Sequence, residues 1–323
     1  PLVVETGKLA GLANGSALVR YGDTAVLCCA TASEKPRDGI DFLPLSVDFE
    51  ERLYAAGKIP GGYLKREGKP SEKAILASRV IDRPIRPLFP KDLRNDVNLS
   101  LTVLSVDPDC SPEITAMIGA SIALSISDIP WNGPIAGVFV GLVDGKFVIN
   151  PTEAERAVSD LELTVAGSKK KVVMIEAGAR EVDDETMYNA IMKAHAEIRD
   201  LVDFINAIVD EIGKPKFEYP SCELDHDMFD KVFAFCEKDL MFALDTDDKN
   251  IRDARMQPIQ DAIVEKFSEE YPDIEAILPE LMYKLQKKIV RRWLLVDKKR
   301  VDGRALDEIR PLAAEVGLLK RVH

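Results

Sequence analysis

The residue types best suited to chemistry are concentrated in a basic segment at positions 51–90. The whole chain of 323 residues has a formal net charge of −12, yet this segment carries nine basic and four acidic side chains. The basic residues are Arg52, Lys58, Lys65, Arg66, Lys69, Lys73, Arg79, Arg83 and Arg86. A local excess of positive charge in an acidic protein is typical of a site that binds anions such as phosphate groups.

Three of these arginines are spaced for one face of a helix. Ser71 predicts a helix start, because its side chain can cap the first turn. Arg79, Arg83 and Arg86 follow at i, i+4 and i+7, which places them on one side of that helix. Pro84 predicts that the helix ends near Arg83. Arginines that share a face repel one another unless an anion lies across them.

The loop ahead of this helix has the composition of a nucleic-acid contact. Gly61 and Gly62 allow the backbone to approach a ligand closely. Tyr63 can stack on a base, and Lys65 and Arg66 can bind phosphates. The residue types leave a second interpretation open, a mobile surface loop whose neighbouring arginines pair with carboxylates elsewhere in the fold.

No other motif in the sequence specifies a catalytic or metal site. Walker-type phosphate loops, dinucleotide fingerprints, His-Glu-x-x-His motifs and nucleophile elbows are all absent. The acidic run at 181–185 is interpreted as a helix start, where carboxylates favour the helix dipole. The five cysteines lack metal-ligand spacing and are interpreted as reduced thiols of a cytosolic protein. Spacing alone therefore predicts no catalytic and no metal-binding residues.

The elements that position the basic segment belong to a mixed α+β domain. Strands are predicted at 2–6, 16–21, 24–33, 43–50, 96–106, 135–143, 147–150, 161–166 and 172–177. Helices are predicted after Ser71 and at 114–126 and 184–211. This domain is predicted to span 1–213 and to be followed by a Pro-rich linker at 214–222.

The remainder of the chain has a helical pattern. Residues 226–243, 251–271 and 276–297 predict helices of an all-α domain at 223–300, with Pro258 as a candidate kink. Basic residues cluster at 284–300, which is interpreted as a solvated helix face or, alternatively, as the border of an anion path. No apolar run approaches the ~20 residues of a membrane span, so we expect no membrane partner and a cytoplasmic location.

Three blocks of the basic segment resemble the first core domain of the bacterial polynucleotide phosphorylase family. They are R-x-Y-A-A-G-K-I-P-G at 52–61, R-E-G-K-P-S-E at 66–72 and I-D-R-P-I-R-P-L-F at 81–89. The sequences M-I-G-A-S at 117–121, I-P-x-x-G-P-I at 129–135 and V-D-G-R at 301–304 extend the resemblance over essentially the whole chain.

The resemblance implies two ribonuclease PH-like cores joined by the helical domain, with 301–323 as the truncated start of the second core. KH and S1 RNA-binding domains would follow the second core. It also implies a ring-shaped homotrimer that degrades single-stranded RNA from the 3′ end. Inorganic phosphate is the implied co-substrate, nucleoside diphosphates are the products and Mg²⁺ assists.

In this family, an aromatic-and-arginine loop of the first core grips RNA in the pore. This loop usually has two aromatic residues and two arginines in the family. Here Leu64 stacks on a base less well than an aromatic ring, and Lys65 binds a phosphate as a point charge, without the forked hydrogen bonds of an arginine. The predicted RNA-binding residues are Tyr63, Leu64, Lys65, Arg66, Lys69, Arg79, Arg83 and Arg86.

The resemblance also implies that catalysis lies outside this chain. The family's phosphate-binding serines and metal-binding aspartates belong to the second core, and their first-core counterparts are assigned to 15–24 and 160–167. Thr164 stands where the active copy carries a lysine, and a hydroxyl cannot supply the positive charge that phosphoryl transfer requires. We therefore expect this chain to lack a catalytic site and the Mg²⁺ ligands to lie elsewhere.

Three functional hypotheses follow from these observations. The first is the RNA-gripping part and scaffold of a phosphorolytic exoribonuclease. The second is a non-enzymatic RNA-binding or scaffold module. The third is a single-core enzyme of the ribonuclease PH type, which the helical segment and the pattern at 301–304 disfavour.

Overall fold

The structure is a computed structural model that describes residues 1–37, 39–62, 68–221 and 223–321. The chain divides into two compact units, Pro1–Cys222 and Glu223–His323. None of the helices within the described ranges is long and apolar enough to cross a membrane. The described cysteines, Cys28, Cys29, Cys110 and Cys236, are free thiols, and Cys222 lies outside the described residues.

The first unit contains two β-sheets. The strands are β1 (Leu2–Glu5), β2 (Gly15–Tyr21), β3 (Thr24–Pro36), β4 (Leu45–Glu51), β5 (Asn95–Ser105), β6 (Ala136–Val143), β7 (Lys146–Ile149), β8 (Leu161–Gly167) and β9 (Val172–Ala179). The five-stranded sheet has the order β1-β2-β3-β5-β4, and the four-stranded sheet has the order β7-β6-β8-β9. Only the β4–β5 pair of these sheets is parallel.

The helices of the first unit are α1 (Glu72–Ile85), α2 (Pro112–Ile126), α3 (Glu153–Val158) and α4 (Asp184–Ile212). All residues of α2 except Glu113 are buried, because α2 contacts β2 and β3 of one sheet, β6 of the other, and α4. The approach is so close at Gly119 that an added Cβ would overlap Cys28 Sγ. The strands and long helices predicted for this unit are present among the described residues, and the short α3 was not predicted.

The helix α1 starts where the sequence predicts, but it ends later than predicted. Ser71 Oγ accepts a hydrogen bond from the Ala74 amide at 3.1 Å, which confirms the predicted cap. The predicted stop near Arg83 is wrong, because α1 includes Pro84 and continues to Ile85. Packing offsets the backbone hydrogen bond that the proline cannot donate, since Ile85 is fully buried and its carbonyl accepts a bond from Trp131 Nε1 at 3.0 Å.

The segment after α4 is tied to the first unit. Lys216 Nζ donates hydrogen bonds to three carbonyls at the end of α2, those of Leu124 and Ser125 at 3.0 Å and of Ser127 at 2.6 Å. Such cations satisfy the carbonyls that a helix end leaves without partners. Further along, Tyr219 Oη and Ser221 Oγ donate to the buried carboxylate of Asp92.

The second unit is helical. It contains α5 (His226–Leu244), α6 (Lys249–Phe267) and α7 (Ile274–Arg292), and a π-helical turn at Trp293–Asp297 follows α7. These helices share a separate hydrophobic core. Pro258 and Pro279 lie within α6 and α7, respectively. The predicted fold class, a mixed α+β core followed by helices, is confirmed.

The hydrogen bonds to Asp92 predict a specific pH dependence of stability. Burial by itself raises the pKa of the Asp92 carboxyl. The hydrogen bonds from Ser221 and Tyr219, a backbone hydrogen bond and the charge of Arg94 together outweigh burial, so that the pKa lies below its ordinary value. The stability linked to this carboxylate is therefore present above the unfolded pKa of ~3.9 and is lost as the pH falls through the lower folded value.

We expect Asp92→Asn to lower the free energy of unfolding by about 2 kcal/mol at neutral pH. This difference from the unsubstituted chain should shrink as the pH falls below ~4. Urea unfolding at neutral and acidic pH measures it. Asp200→Asn, a change at an exposed position of α4, is the control and should have little effect at either pH. A difference for Asp92→Asn that stays constant with pH would contradict the assignment.

Candidate nucleic-acid interface

The predicted RNA-binding residues fall into two groups in the structure. Tyr63, Leu64, Lys65 and Arg66 lie outside the described residues. Lys69, Arg79, Arg83 and Arg86 are described, and the residue environments of these four differ. Their geometry decides which of them offers a free positive charge to a ligand.

Arg79 and Arg83 lie on the side of α1 that faces away from the core. The buried residues of this helix include Ala77 and Ile81, and both arginines are exposed on the opposite side. Within the described ranges, neither side chain forms an ion pair or a hydrogen bond. Four residues of α-helix advance ~6 Å, so two unneutralised guanidinium groups stand about one turn apart. This arrangement suits a chain of phosphates.

Arg86 has a structural role in α1. Its Nε donates to Asp82 Oδ2 at 3.0 Å, and its two terminal nitrogens donate to the carbonyls of Leu43 at 3.3 Å and Leu45 at 3.0 Å. One terminal nitrogen also lies 2.9 Å from Asp82 Oδ1, so most of the five N–H groups of the guanidinium are directed at neighbours within the protein. These bonds join the end of α1 to the start of β4.

Lys69 lines a pocket of about 290 Å³ between β4 and the start of α1. Glu50, Glu51 and Arg52 also line this pocket. Arg52 pairs with Glu50 at 2.9 Å, and Glu51 lies 3.5 Å from Lys73 Nζ. The pocket therefore combines charges of both signs and is not a simple anion site.

A larger cleft of about 860 Å³ was not foreseen from the sequence. It lies between α1, the segment before α2 and the second sheet. Its charged lining residues are Glu72, Lys73, Asp107, Glu113, Glu153, Arg156, Glu162 and Glu176. The acids outnumber the bases, so the cleft has a negative lining. The only local signal was Ser111-Pro112-Glu113, which by itself predicts no more than the start of a helix.

Both cations of this cleft already have partners. Lys73 Nζ lies 3.5 Å from carboxylate oxygens of Glu51 and of Glu113. Arg156 donates hydrogen bonds to the carbonyls of Pro151 and Pro108. Among the described lining residues, a phosphate group would therefore meet carboxylates without a free cation to offset the repulsion. The cleft does not fit inorganic phosphate.

The cleft contains one of the two first-core motifs that the resemblance assigned. The register Phe139↔Thr164↔Glu176 across β6, β8 and β9 places Thr164 among the lining residues. Ser16 lies elsewhere and donates to the carbonyl of Leu9 at 2.9 Å. Its neighbour Gly15 packs against Ala123 at the far end of α2. Ser16 is therefore not among the described residues that line the cleft with Thr164, although the end of its segment reaches the cleft, where Thr24 Oγ1 accepts a hydrogen bond from the amide of Asp107.

The cleft also does not fit Mg²⁺. Magnesium sites in proteins use carboxylates arranged around one point, with strict geometry. In the part of the chain that the structure describes, no group of three or more His, Cys, Asp or Glu residues is placed to hold a metal ion. No step of a reaction is therefore assigned to this cleft.

The contacts of Arg86 and Arg83 predict effects of different size on stability. Arg86→Gln removes hydrogen bonds to two carbonyls and an ion pair, so we expect the free energy of unfolding to fall by about 1–2 kcal/mol. Arg83→Gln changes an exposed side chain without such contacts and should stay within about 0.5 kcal/mol. Urea denaturation of both variants provides the measurement, and equal effects would contradict the structural role of Arg86.

Comparison with protein families identifies three successive segments. Residues 1–130 match the model of the 3′ exoribonuclease family, domain 1, and residues 133–197 match domain 2 of the same family. Residues 227–305 match the model described as polyribonucleotide nucleotidyltransferase, RNA binding domain. The two exoribonuclease models together account for more than half of the chain.

Several curated relatives match the entire chain. The polyribonucleotide nucleotidyltransferase of Ruminiclostridium cellulolyticum is 60% identical over 322 residues, and that of Lachnoclostridium phytofermentans is 55% identical over 323. In both cases 100% of this chain is covered but only 46% of the relative, so the chain spans about half the length of the relatives it matches.

A solved structure with the same fold is rice Rrp46. It has a TM-score of 0.53 and 17% sequence identity, and the match covers 65% of this chain and 94% of that one. At this identity the likeness concerns the fold alone. The relatives that match the entire chain share one name, so the chain is similar to part of the polyribonucleotide nucleotidyltransferases. Because two consecutive models of one family match residues 1–130 and 133–197, the chain belongs to the 3′ exoribonuclease family.

Proposed function

We propose that this chain is part of a 3′-to-5′ phosphorolytic exoribonuclease that degrades single-stranded RNA. In this reaction, an oxygen of inorganic phosphate attacks the terminal phosphodiester. The 3′-oxygen of the preceding nucleotide leaves and takes up a proton, and a nucleoside diphosphate is released. Membership of the 3′ exoribonuclease family and the name that the curated relatives share support this proposal.

The observation that carries the role of this chain is the exposure of Arg79 and Arg83. Both guanidinium groups lack ion-pair partners among the described residues, and each can bind a phosphate through two hydrogen bonds. The chain thus supplies an RNA-gripping surface. We include the loop residues Tyr63, Leu64, Lys65 and Arg66 and the neighbouring Lys69 and Arg86 in that surface, because they belong to the same basic segment.

The catalytic step is proposed to depend on parts of the protein other than this chain. The cleft with Thr164 has a negative lining and no free cation among its described residues. Mg²⁺ and inorganic phosphate are proposed to act in the longer, homotrimeric enzyme of the cytoplasm. In the same proposal the chain divides into a first core at 1–213, a linker at 214–222, a helical domain at 223–300 and the start of a second core at 301–323.

The RNA-gripping role predicts a loss of affinity when the exposed arginines are neutralised. Arg79→Gln combined with Arg83→Gln removes two phosphate contacts, and we expect roughly tenfold weaker binding of a labelled oligoadenylate at about 50 mM salt. The salt dependence should also become less steep, by about 0.7 per phosphate contact in a plot of log affinity against log salt. Fluorescence anisotropy measures both.

A matched control for this prediction removes the same charge from another exposed surface of the first unit. Arg180→Gln with Arg199→Gln serves this purpose, since both positions are exposed. We expect a smaller loss of affinity than for the α1 pair. If the two double variants bind RNA equally well at low and high salt, α1 is not the RNA contact.

The second functional hypothesis, a non-enzymatic RNA-binding module, makes the same prediction for this chain as the first. The third, a single-core enzyme, makes a different one. We expect the 323-residue chain to bind oligoadenylate without releasing nucleoside diphosphate when phosphate and Mg²⁺ are added. Thin-layer chromatography of labelled RNA detects the product, and a full-length relative provides the positive control. Phosphate-dependent release by this chain would overturn the proposed absence of a catalytic site.

A further inference from the structure

The second unit carries an exposed row of residues on α7 that the proposed function does not use. We call Tyr283, Lys287 and Arg291 the α7 stripe. Successive members are four residues apart, so they lie on one side of the helix and advance by ~6 Å at each step. The Tyr283 side chain is 61% exposed, and both cations are exposed as well. Lys287 Nζ stands 5.4 Å from the centre of the Tyr283 ring.

The stripe differs from the other basic residues of α7 in its lack of acidic partners. Lys284 pairs with Glu280 at 3.1 Å, Lys288 with Asp230 at 3.2 Å and Arg292 with Glu237 at 3.4 Å. Over the described residues, neither Lys287 nor Arg291 has an ion pair, and the Tyr283 hydroxyl has no hydrogen bond. The helix therefore neutralises its flanking cations and leaves the charge of the stripe available.

Helix stability alone does not account for this arrangement. A cation in the last turn favours the helix dipole, which explains Arg291. The same effect falls off within one turn and does not reach Lys287, whose local contact is with the Tyr283 ring at i−4. That contact does not remove the charge of Lys287, so Lys287 still repels Arg291 at i+4, and the ring remains largely exposed. An anionic ligand would relieve the repulsion and use the ring.

The chemistry of the stripe fits single-stranded RNA better than an acidic peptide. Proteins that bind single strands without reading the sequence combine cations along the phosphate backbone with aromatic rings on which bases stack. The stripe has both elements at regular spacing. Residues 227–305, which include it, match the model described as an RNA binding domain, although that match assigns no residues.

We propose that the α7 stripe is a second contact for single-stranded RNA. Tyr283 stacks on a base, and Lys287 and Arg291 bind neighbouring phosphates. This contact belongs to the second unit and is separate from the arginines of α1. The proposal for the α7 stripe can therefore be tested independently of the RNA-gripping role of the first unit.

The direct test compares variants of the 323-residue chain in binding a fluorescein-labelled oligouridylate. Lys287→Gln with Arg291→Gln should weaken binding severalfold at about 50 mM salt and lower the salt dependence by about 0.7 per phosphate contact. Tyr283→Ala should weaken binding without changing the salt dependence, whereas Tyr283→Phe, which keeps the ring, should bind normally. Lys238→Gln with Lys249→Gln, two exposed lysines of the same unit, is the charge-matched control.

Two further measurements distinguish RNA binding by the α7 stripe from RNA binding by the arginines of α1. In the background of Arg79→Gln with Arg83→Gln, the remaining RNA affinity should fall again when the stripe is neutralised. Ultraviolet cross-linking to 5-iodouridine-labelled RNA should yield a cross-linked peptide that contains Tyr283. Loss of binding through the α1 variants but not through the stripe variants would overturn only this proposal.

Other outcomes also decide against the stripe as an RNA contact. Affinity equal to that of the control double variant at both salt concentrations would overturn it. Stripe-dependent binding of labelled polyglutamate, with RNA binding unchanged, would assign the surface to an acidic protein partner instead. Far-ultraviolet circular dichroism of each variant checks that α7 remains folded, which we expect because the substituted side chains are exposed.

Discussion

The burial of α2 between two sheets is the contact on which the first unit depends. The two hydrophobic clusters of this unit lie on opposite sides of α2, and the helix contributes residues to both. A helix surrounded by apolar side chains has no polar face, so the polar contacts that fix it are made chiefly at its ends. Ser111 caps its start, and Lys216 binds carbonyls at its end. The segment after α4 is thereby held against the first unit.

The start of α2 also determines the character of the large cleft. Ser111 and Glu113 belong to its lining, opposite Thr164 and Glu176 of the second sheet. The same fold element that gives the cleft its shape thus brings a carboxylate into it, and Lys73 is drawn to that carboxylate. A cleft of this charge repels phosphate, whatever its size. The charge of the lining residues, rather than the size of the cleft, therefore decides which ligands it can accept.

In both units, the neighbours of each cation decide what it can bind. Arg86 and Arg83 are close in sequence, but Arg86 is engaged by Asp82 and two carbonyls, whereas Arg83 faces away from the core. The same contrast separates Lys288, which pairs with Asp230, from Lys287 on the adjacent position of α7. Surface ion pairs contribute little to stability, but they determine which charges remain available to a ligand.

The sequence by itself determined the order and type of the elements, because apolar periodicity and turn residues are local properties. It also determined the cap at Ser71 and the basic segment, and its motifs were sufficient to indicate the family. Tertiary structure alone decided that α1 continues through Pro84, because burial of Ile85 and the bond from Trp131 act across the fold. It alone decided that Thr164 lines the large cleft whereas Ser16 does not. It also decided that Arg86 is engaged by Asp82 and two carbonyls, whereas Arg79 has no ion pair or hydrogen bond among the described residues. These outcomes depend on contacts between residues far apart in the chain, which spacing along a sequence does not encode.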